Sequence, residues 1–373
     1  DLSTTSIVLS GNMQGISYGW TVSNNNNIVG AITGSNDSIV QLLTNTSTGV
    51  QQVTYTVTPS LNGCIGAGVN VIVTVNPTPL LTTVVANNTI CSGTSTNIAL
   101  NSNVLNTTYA YTANPSGGVV GAGSGIANPI VQQLTNNTLN PGQVTYIITP
   151  TANSCDGAPV SVTITVNPVA TVISNPNSVT ICSGQNANVQ LSSSSQGATF
   201  NWTVSANPQL TGQAAGSGPL INQQITNATF VVQNYYYVVT PVFGVCPGLQ
   251  DTIPVTVNPL PQIFPGATVN TCASTPPFNL TGFSPAGGTW SGTGITNGQL
   301  ATFSPAVSGV GSFTLTYSYT DPITGCINSA TRTVNVNPLP VPLFTMDTLK
   351  CINTTVSIVN NSTGASSYFW NSE

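Results

Sequence analysis

The chain of 373 residues contains no histidine, only two basic residues and only seven acidic ones. Without histidine there is no Ser-His-Asp or Cys-His catalysis, no imidazole ligand for a metal and no histidine pH switch. Arg332 and Lys350 are the only cations, so no basic surface can neutralise phosphates, and nucleic acid is excluded as a partner. The acids are scattered along the chain, whereas glycoside hydrolysis needs two carboxyl groups about 5–10 Å apart. No D-x-D-x-D-G run offers oxygen ligands to calcium, and no apolar run approaches the roughly 20 residues of a membrane helix. These absences predict a protein that is not an enzyme, with no catalytic, cofactor-binding or metal-ligating residues, no cofactor and no membrane insertion.

Charged residues make up 2% of the chain, against about 25% in ordinary soluble domains. Low charge can accompany disorder, but disordered chains are poor in β-branched and aromatic residues. This one is 40% apolar and rich in Val, Ile, Thr and Tyr, so it reads as folded and β-rich, its solubility resting on hydroxyls and amides.

What is present is a repeat. A Val-x-Val-Asn-Pro phrase, once with Ile in first place, ends at Pro77, Pro168, Pro259 and Pro338, and Tyr55, Tyr146 and Tyr237 keep the same 91-residue step as the first three. The phrases SYGWTVS, TYAYTAN and TFNWTVS place Trp20, Tyr111 and Trp202 in register, with Trp290 and Trp370 returning later. Self-similarity at a fixed period marks an array of modules. Alternating runs such as SVTITVNP carry the period of half-buried strands, and Gly, Pro, Asn and Ser clusters punctuate them. The expected fold is all-β: tandem immunoglobulin-like sandwiches in an extended array, joined by stiff Asn-Pro linkers. The expected modules are 1–77 (lacking its first strand), 78–168, 169–259, 260–338 and 339–373 (an N-terminal part only). Register places a further cysteine just before Asp1, and SSYFWNSE reaches the third strand of a fifth module, so a slice of a longer protein is expected.

The cysteines are Cys64, Cys91, Cys155, Cys182, Cys246, Cys272, Cys326 and Cys351, one near each module's start and one before its last strand. Three pairings fit. Bridges within modules (Cys91–Cys155, Cys182–Cys246, Cys272–Cys326) keep each module self-contained and are the expectation, with Cys64 and Cys351 paired outside this stretch of chain. Bridges across each linker (Cys64–Cys91, Cys155–Cys182 and so on) use every cysteine. A third register joins the first cysteine of one module to the second of the next. Against the first choice, the opening and closing turns of a sandwich lie at opposite ends. With no C-x-x-C spacing, paired cysteines rather than metal ligands are expected, and with them an oxidising, extracellular location.

TICSG, FNWTVS, VTYTVTP, the Gly-Cys or Val-Cys before the last strand and V-x-VNP-x-P together resemble the PKD-like and Ig-like modules of very large surface and secreted proteins of Bacteroidetes, gliding-motility adhesins among them. The resemblance covers the whole chain and implies type IX secretion and a repeat-built adhesin or surface filament. The W-x-F-G-D-G turn of typical PKD domains is missing, since Trp20 and Trp202 are followed by TVS. The resemblance also implies O-glycosylation at Asp-Ser/Thr followed by an aliphatic residue, which marks Ser38, Thr252 and Thr348 as candidates. Asn-x-Ser/Thr sequons such as those at Asn106 and Asn227 follow from the Asn/Thr richness and carry little weight.

Other features read plainly. Gly121-Ala-Gly123-Ser-Gly125 lacks the spacing of a phosphate loop and reads as a hairpin turn. Trp20, Trp202, Trp290 and Trp370 are expected as core residues rather than a sugar-stacking row, as are Tyr55, Tyr146, Tyr237 and Tyr317. In the run Tyr235 to Tyr237, alternation turns one ring outward. The functional expectation is a stalk of a bacterial cell-surface adhesin or filament. The alternatives are a self-assembling filament subunit and a carbohydrate-binding array. The partners expected are neighbouring modules, other copies of the chain or surface polysaccharide.

Overall fold

A computed structural model of the chain describes residues 4–23, 25–85, 87–346, 348–349 and 351–371. Apart from one short helix, α1 (Pro305–Ser308), its regular structure is β. Module 1 carries β1 (Ser17–Val22), β2 (Gln51–Leu61) and β3 (Val69–Val75). Module 2 carries β4 (Leu81–Val85), β5 (Thr89–Cys91), β6 (Ile98–Ser102), β7 (Thr108–Ser116), β8 (Gly142–Ala152) and β9 (Val160–Asn167). Module 3 repeats the plan with β10 (Val179–Cys182), β11 (Asn186–Ser192), β12 (Thr199–Val204), β13 (Gln233–Phe243) and β14 (Asp251–Asn258). Module 4 contributes β15 (Val269–Cys272), β16 (Thr289–Ser291), β17 (Gly311–Thr320) and β18 (Ile327–Asn337).

Module 2 shows the logic. Strands β7, β8 and β9 form an antiparallel meander, and β5 adds to its far side parallel to β9. Alternation decides the faces: Val144, Tyr146 and Ile148 of β8 point into the core while Thr145 and Ile147 face away from it. The opposite layer includes the antiparallel pair β4–β6, whose Leu81, Ile98 and Leu100 close the core. Equivalent clusters form around Tyr55, Tyr237 and Tyr317. The all-β, sandwich-repeat expectation is what the structure shows.

Two amide brackets recur at the 91-residue step. Tyr55, Tyr146 and Tyr237 are fully buried and donate their hydroxyls to Gln41, Gln132 and Gln223 at 2.8, 2.8 and 3.0 Å. Each glutamine amide also pins a facing loop through both its groups, as Gln132 does to the N–H and C=O of Gly123. The Trp20 and Trp202 indoles donate to Ile32 and Ala214 carbonyls in those loops. In module 3 Tyr235 donates to Tyr237, making a three-member chain. The second bracket is Asn45, Asn136 and Asn227. Asn227 Nδ2 donates to the carbonyls of Val231 and Val257, and its Oδ1 accepts from the N–H and hydroxyl of Thr229. The Asn-x-Ser/Thr phrase is therefore a turn stapled to the last strand, and the Asn227 side chain at its start is buried.

Module 4 departs from this plan. Tyr317 has no glutamine partner there; it packs against Trp290 and Phe283, accepts from the Gly288 N–H and donates to the Pro285 carbonyl.

Replacing Asn227 by alanine removes the amide bond to the Val257 carbonyl in the last strand and leaves the Thr229 N–H without its acceptor, and is expected to destabilise module 3 by about 2–4 kcal/mol. Hydrogen exchange of β13 amides checks it. Burial pushes the Tyr146 hydroxyl up to about 12. Its folded pKa exceeds its unfolded one, so the stability it lends is full below about pH 10 and is lost as pH rises toward 12. Thermal melts between pH 9 and 11.5, steeper in the native chain than in Tyr146→Phe, check this.

Candidate functional site: the bridged module junctions

The residues with chemistry to offer are the cysteines, and strand pairing fixes where they lie. Parallel pairing sets Cys91 opposite Asn167, Cys182 opposite Asn258 and Cys272 opposite Asn337. Each first cysteine thus sits beside the Asn of the module's closing Val-Asn-Pro, at the trailing end. The second cysteine follows the hairpin turn before the last strand, at the leading end. In modules 1 and 2 that turn passes through Asn62-Gly63 and Asn153-Ser154, both residues of each pair at positive φ, as tight two-residue hairpins prefer.

The two positions in one module are separated by the length of its last strand, about 26 Å for the eight residues of β9. A disulfide needs Cα atoms within about 7 Å. The within-module pairing is therefore corrected. Cys91 is bonded to Cys246 and not to Cys155, and Cys182 to Cys326 and not to Cys246, with Cα separations of 5.4 and 5.6 Å. The third register, first cysteine to second cysteine of the next module, is the one adopted. Cys326 being taken by Cys182, Cys272 stands exposed at the trailing end of module 4; Cys64 and Cys351 are also exposed, and Cys155 is buried at the junction of modules 1 and 2.

Around the bridges the junctions share a plan. The closing Asn of one module reaches the turn of the next: Asn76 Nδ2 donates to the Asn153 carbonyl at 2.9 Å, and Asn167 Nδ2 lies 3.7 Å from Cys246 Sγ. The linker lies against a glycine two positions after the second cysteine. At Gly157 and Gly248 a Cβ would fall 2.0 and 2.1 Å from the carbonyl oxygens of Pro79 and Ala170, so only glycine admits the approach. Leu249 N–H donates to the Ala170 carbonyl at 3.0 Å, and Asn328 Nδ2 to that of Pro261 at 2.9 Å. Cys-x-Gly in three modules and the closing Asn were the available signals for this contact.

The remaining candidates do not gather with the cysteines. Trp20, Trp202 and Trp290 are 8%, 7% and 2% exposed, core residues that present no stacking row; Trp370, in the last segment, is half-exposed against Phe344. Tyr236 turns outward between buried Tyr235 and Tyr237. Gly121 occupies a positive-φ turn, and Gly125 lies against the Tyr111 ring. Ser38 is half-buried, Thr252 and Thr348 are exposed, and Asp347 and Lys350 lie outside the described residues. Arg332 is buried, donating to the carbonyls of Ala267 and Thr281, and desolvation lowers its pKa. No helix among the described residues is long and apolar enough to cross a membrane.

The model of the PKD-like domain matches residues 4–79, 88–170 and 179–261. The chain belongs to the PKD-like domain family. Three tandem PKD-like domains account for most of its length. A search of curated proteins gave no match. Among solved structures, four cadherin domains of Drosophila N-cadherin align over 90% of this chain and 96% of theirs at 11% identity, TM-score 0.22. The Dpr2–DIP-Theta immunoglobulin complex aligns over 70% of this chain and 100% of the matched chain, at 10% identity and TM-score 0.30. The fibronectin(III)-like modules of Clostridium thermocellum CbhA align over 48% and 95%, at 13% identity and TM-score 0.25.

Closing loops of 155 and 144 residues adds about 5 kcal/mol per bridge on the chain-entropy model. Cys246→Ser is therefore expected to lower the denaturation midpoints of PKD-like domains 2 and 3 together, read by segment-resolved hydrogen exchange. Non-reducing peptic maps of the native chain are expected to yield the Cys91–Cys246 and Cys182–Cys326 peptides, with no Cys91–Cys155 peptide.

Proposed function

We propose that this chain is a non-catalytic, load-bearing spacer, a stalk segment of a large cell-surface adhesin or filament that holds a binding element away from its anchor. The observation that carries the reading is that module 3 is tied twice, by backbone and by sulfur, to both module 2 and module 4, at junctions where the linker is packed against the next module. A chain built only to fold would keep its bridges inside modules. PKD-like domains are typically extracellular structural modules, and disulfides suit an oxidising location. The phrase set shared with Bacteroidetes surface proteins supports export by type IX secretion, a gliding-type adhesin context and O-glycosylation at Ser38, Thr252 and Thr348. The two exposed hydroxyls among them, Thr252 and Thr348, are the better acceptors.

One observation favours the filament reading. Strand β7 ends its sheet with nine residues free of charge, its outer edge covered only where Tyr111 exchanges backbone hydrogen bonds with Gly125 and the Ala113 N–H meets the Ser124 hydroxyl, and the rest of an uncharged edge is a template for another strand. Negative-stain microscopy of the purified chain separates the two: isolated thin rods support the spacer, ordered bundles or helical fibres support lateral assembly, and compact globules overturn both. Residues 1–331 contain neither Lys nor Arg, and Arg332 is buried. Trypsin is accordingly expected to leave residues 1–332 intact under native conditions, as mass spectrometry would show.

A further inference from the structure

The bridges connect stretches of chain that each hold a closing strand, a linker and the next module's opening strand. From Cys246 the backbone runs through β14, the Asn-Pro junction and β15 to Cys272 in 26 residues. From Cys326 it reaches Cys351 in 25 residues, and 27 residues separate both Cys64 from Cys91 and Cys155 from Cys182. Joined by the bridges, these stretches form two series: Cys64 to Cys91, across to Cys246 and on to Cys272; and Cys155 to Cys182, across to Cys326 and on to Cys351. The first covers 208 positions of sequence (64 to 272) with 53 residues of backbone and one bridge.

In an unbridged row of sandwiches, tension enters a module at its first strand and leaves at its last, so each module can unravel completely. Here every module between bridged neighbours holds both series side by side. In module 3, β10 of one lies beside β14 of the other from Val179↔Val255 to Cys182↔Asn258, in parallel, so both point along the pull and their hydrogen bonds are loaded in shear. Sulfur then hands each series to the following module while the backbone linker hands over the other.

We propose that these two interleaved series are the tension-bearing lines of the array, and that they cap its extension, since no part of modules 2 and 3 can be drawn out between the bridges by more than the 64 residues from Cys182 to Cys246, about 225 Å. The proposal gives a mechanism to the spacer reading and rests on it for its purpose, but its geometry follows from connectivity alone. The shortest covalent route from end to end runs 1–91, 246–182 and 326–373, which is 201 residues against 372 in a reduced chain. At about 3.5 Å per residue the limits are about 700 and 1,300 Å.

The test is single-molecule stretching of the terminally tethered chain, with and without a phosphine reductant. Reduction is expected to lengthen the fully stretched chain by about 600 Å. The oxidised chain is expected to show no release of about 300 Å, the size of a whole module, from modules 2 and 3. The double variant C91S/C246S retains the second bridge and should gain about 95 Å over the native chain. A gain of about 450 Å, which within-module bridges would produce, or none at all, overturns the proposal, as do whole-module releases from the oxidised chain. These lengths are read on unfolded chain, so a variant that folds poorly still reports its bridges. Rods by microscopy together with whole-module releases would retain the spacer and remove only the load lines.

Discussion

The parallel pairing of a short opening strand with the closing strand of the same module governs the architecture. It places Cys91 and Cys182 at the trailing end, against Asn167 and Asn258, one strand length from their own modules' second cysteines. From that placement the connectivity follows, because the nearest thiol is the one in the leading hairpin of the next module. The closing Asn and the glycine two positions after each second cysteine then let that hairpin and the linker meet. Without the parallel register each module would be a closed unit and the junction only a tether.

The repeat, the all-β class and the inward tyrosines and tryptophans were legible because period and alternation are carried by adjacent residues. The 91-residue step aligns Tyr146 with Tyr55 and Tyr237, and Trp202 with Trp20. The pairing of the cysteines was not legible, since it depends on which end of a strand faces the neighbour, and spacing along one chain holds no such direction. The objection that opening and closing turns lie at opposite ends was the correct physical clue. Self-containment, the ground for the within-module expectation, does not hold in an array with covalent junctions.

The asparagines show a different limit. Asn45, Asn136 and Asn227 read as an excess of a common residue, and the threonine or serine two places on as a sequon. Their use as brackets emerges only when the last strand is seen to expose a carbonyl to them. Module 4, with a 79-residue step, reaches a comparable core by stacking Trp290 and Phe283 on Tyr317 in place of the glutamine bracket. One fold thus tolerates two solutions to burying a tyrosine hydroxyl.

The glutamine and asparagine brackets are amide-to-carbonyl, amide-to-hydroxyl and indole-to-carbonyl contacts, none of which gains or loses a proton in ordinary water. A module interior held by neutral dipoles keeps the same geometry in brine, in fresh water and in mildly acidic or alkaline surroundings. Such a row of PKD-like domains suits an exterior whose chemistry the cell does not control.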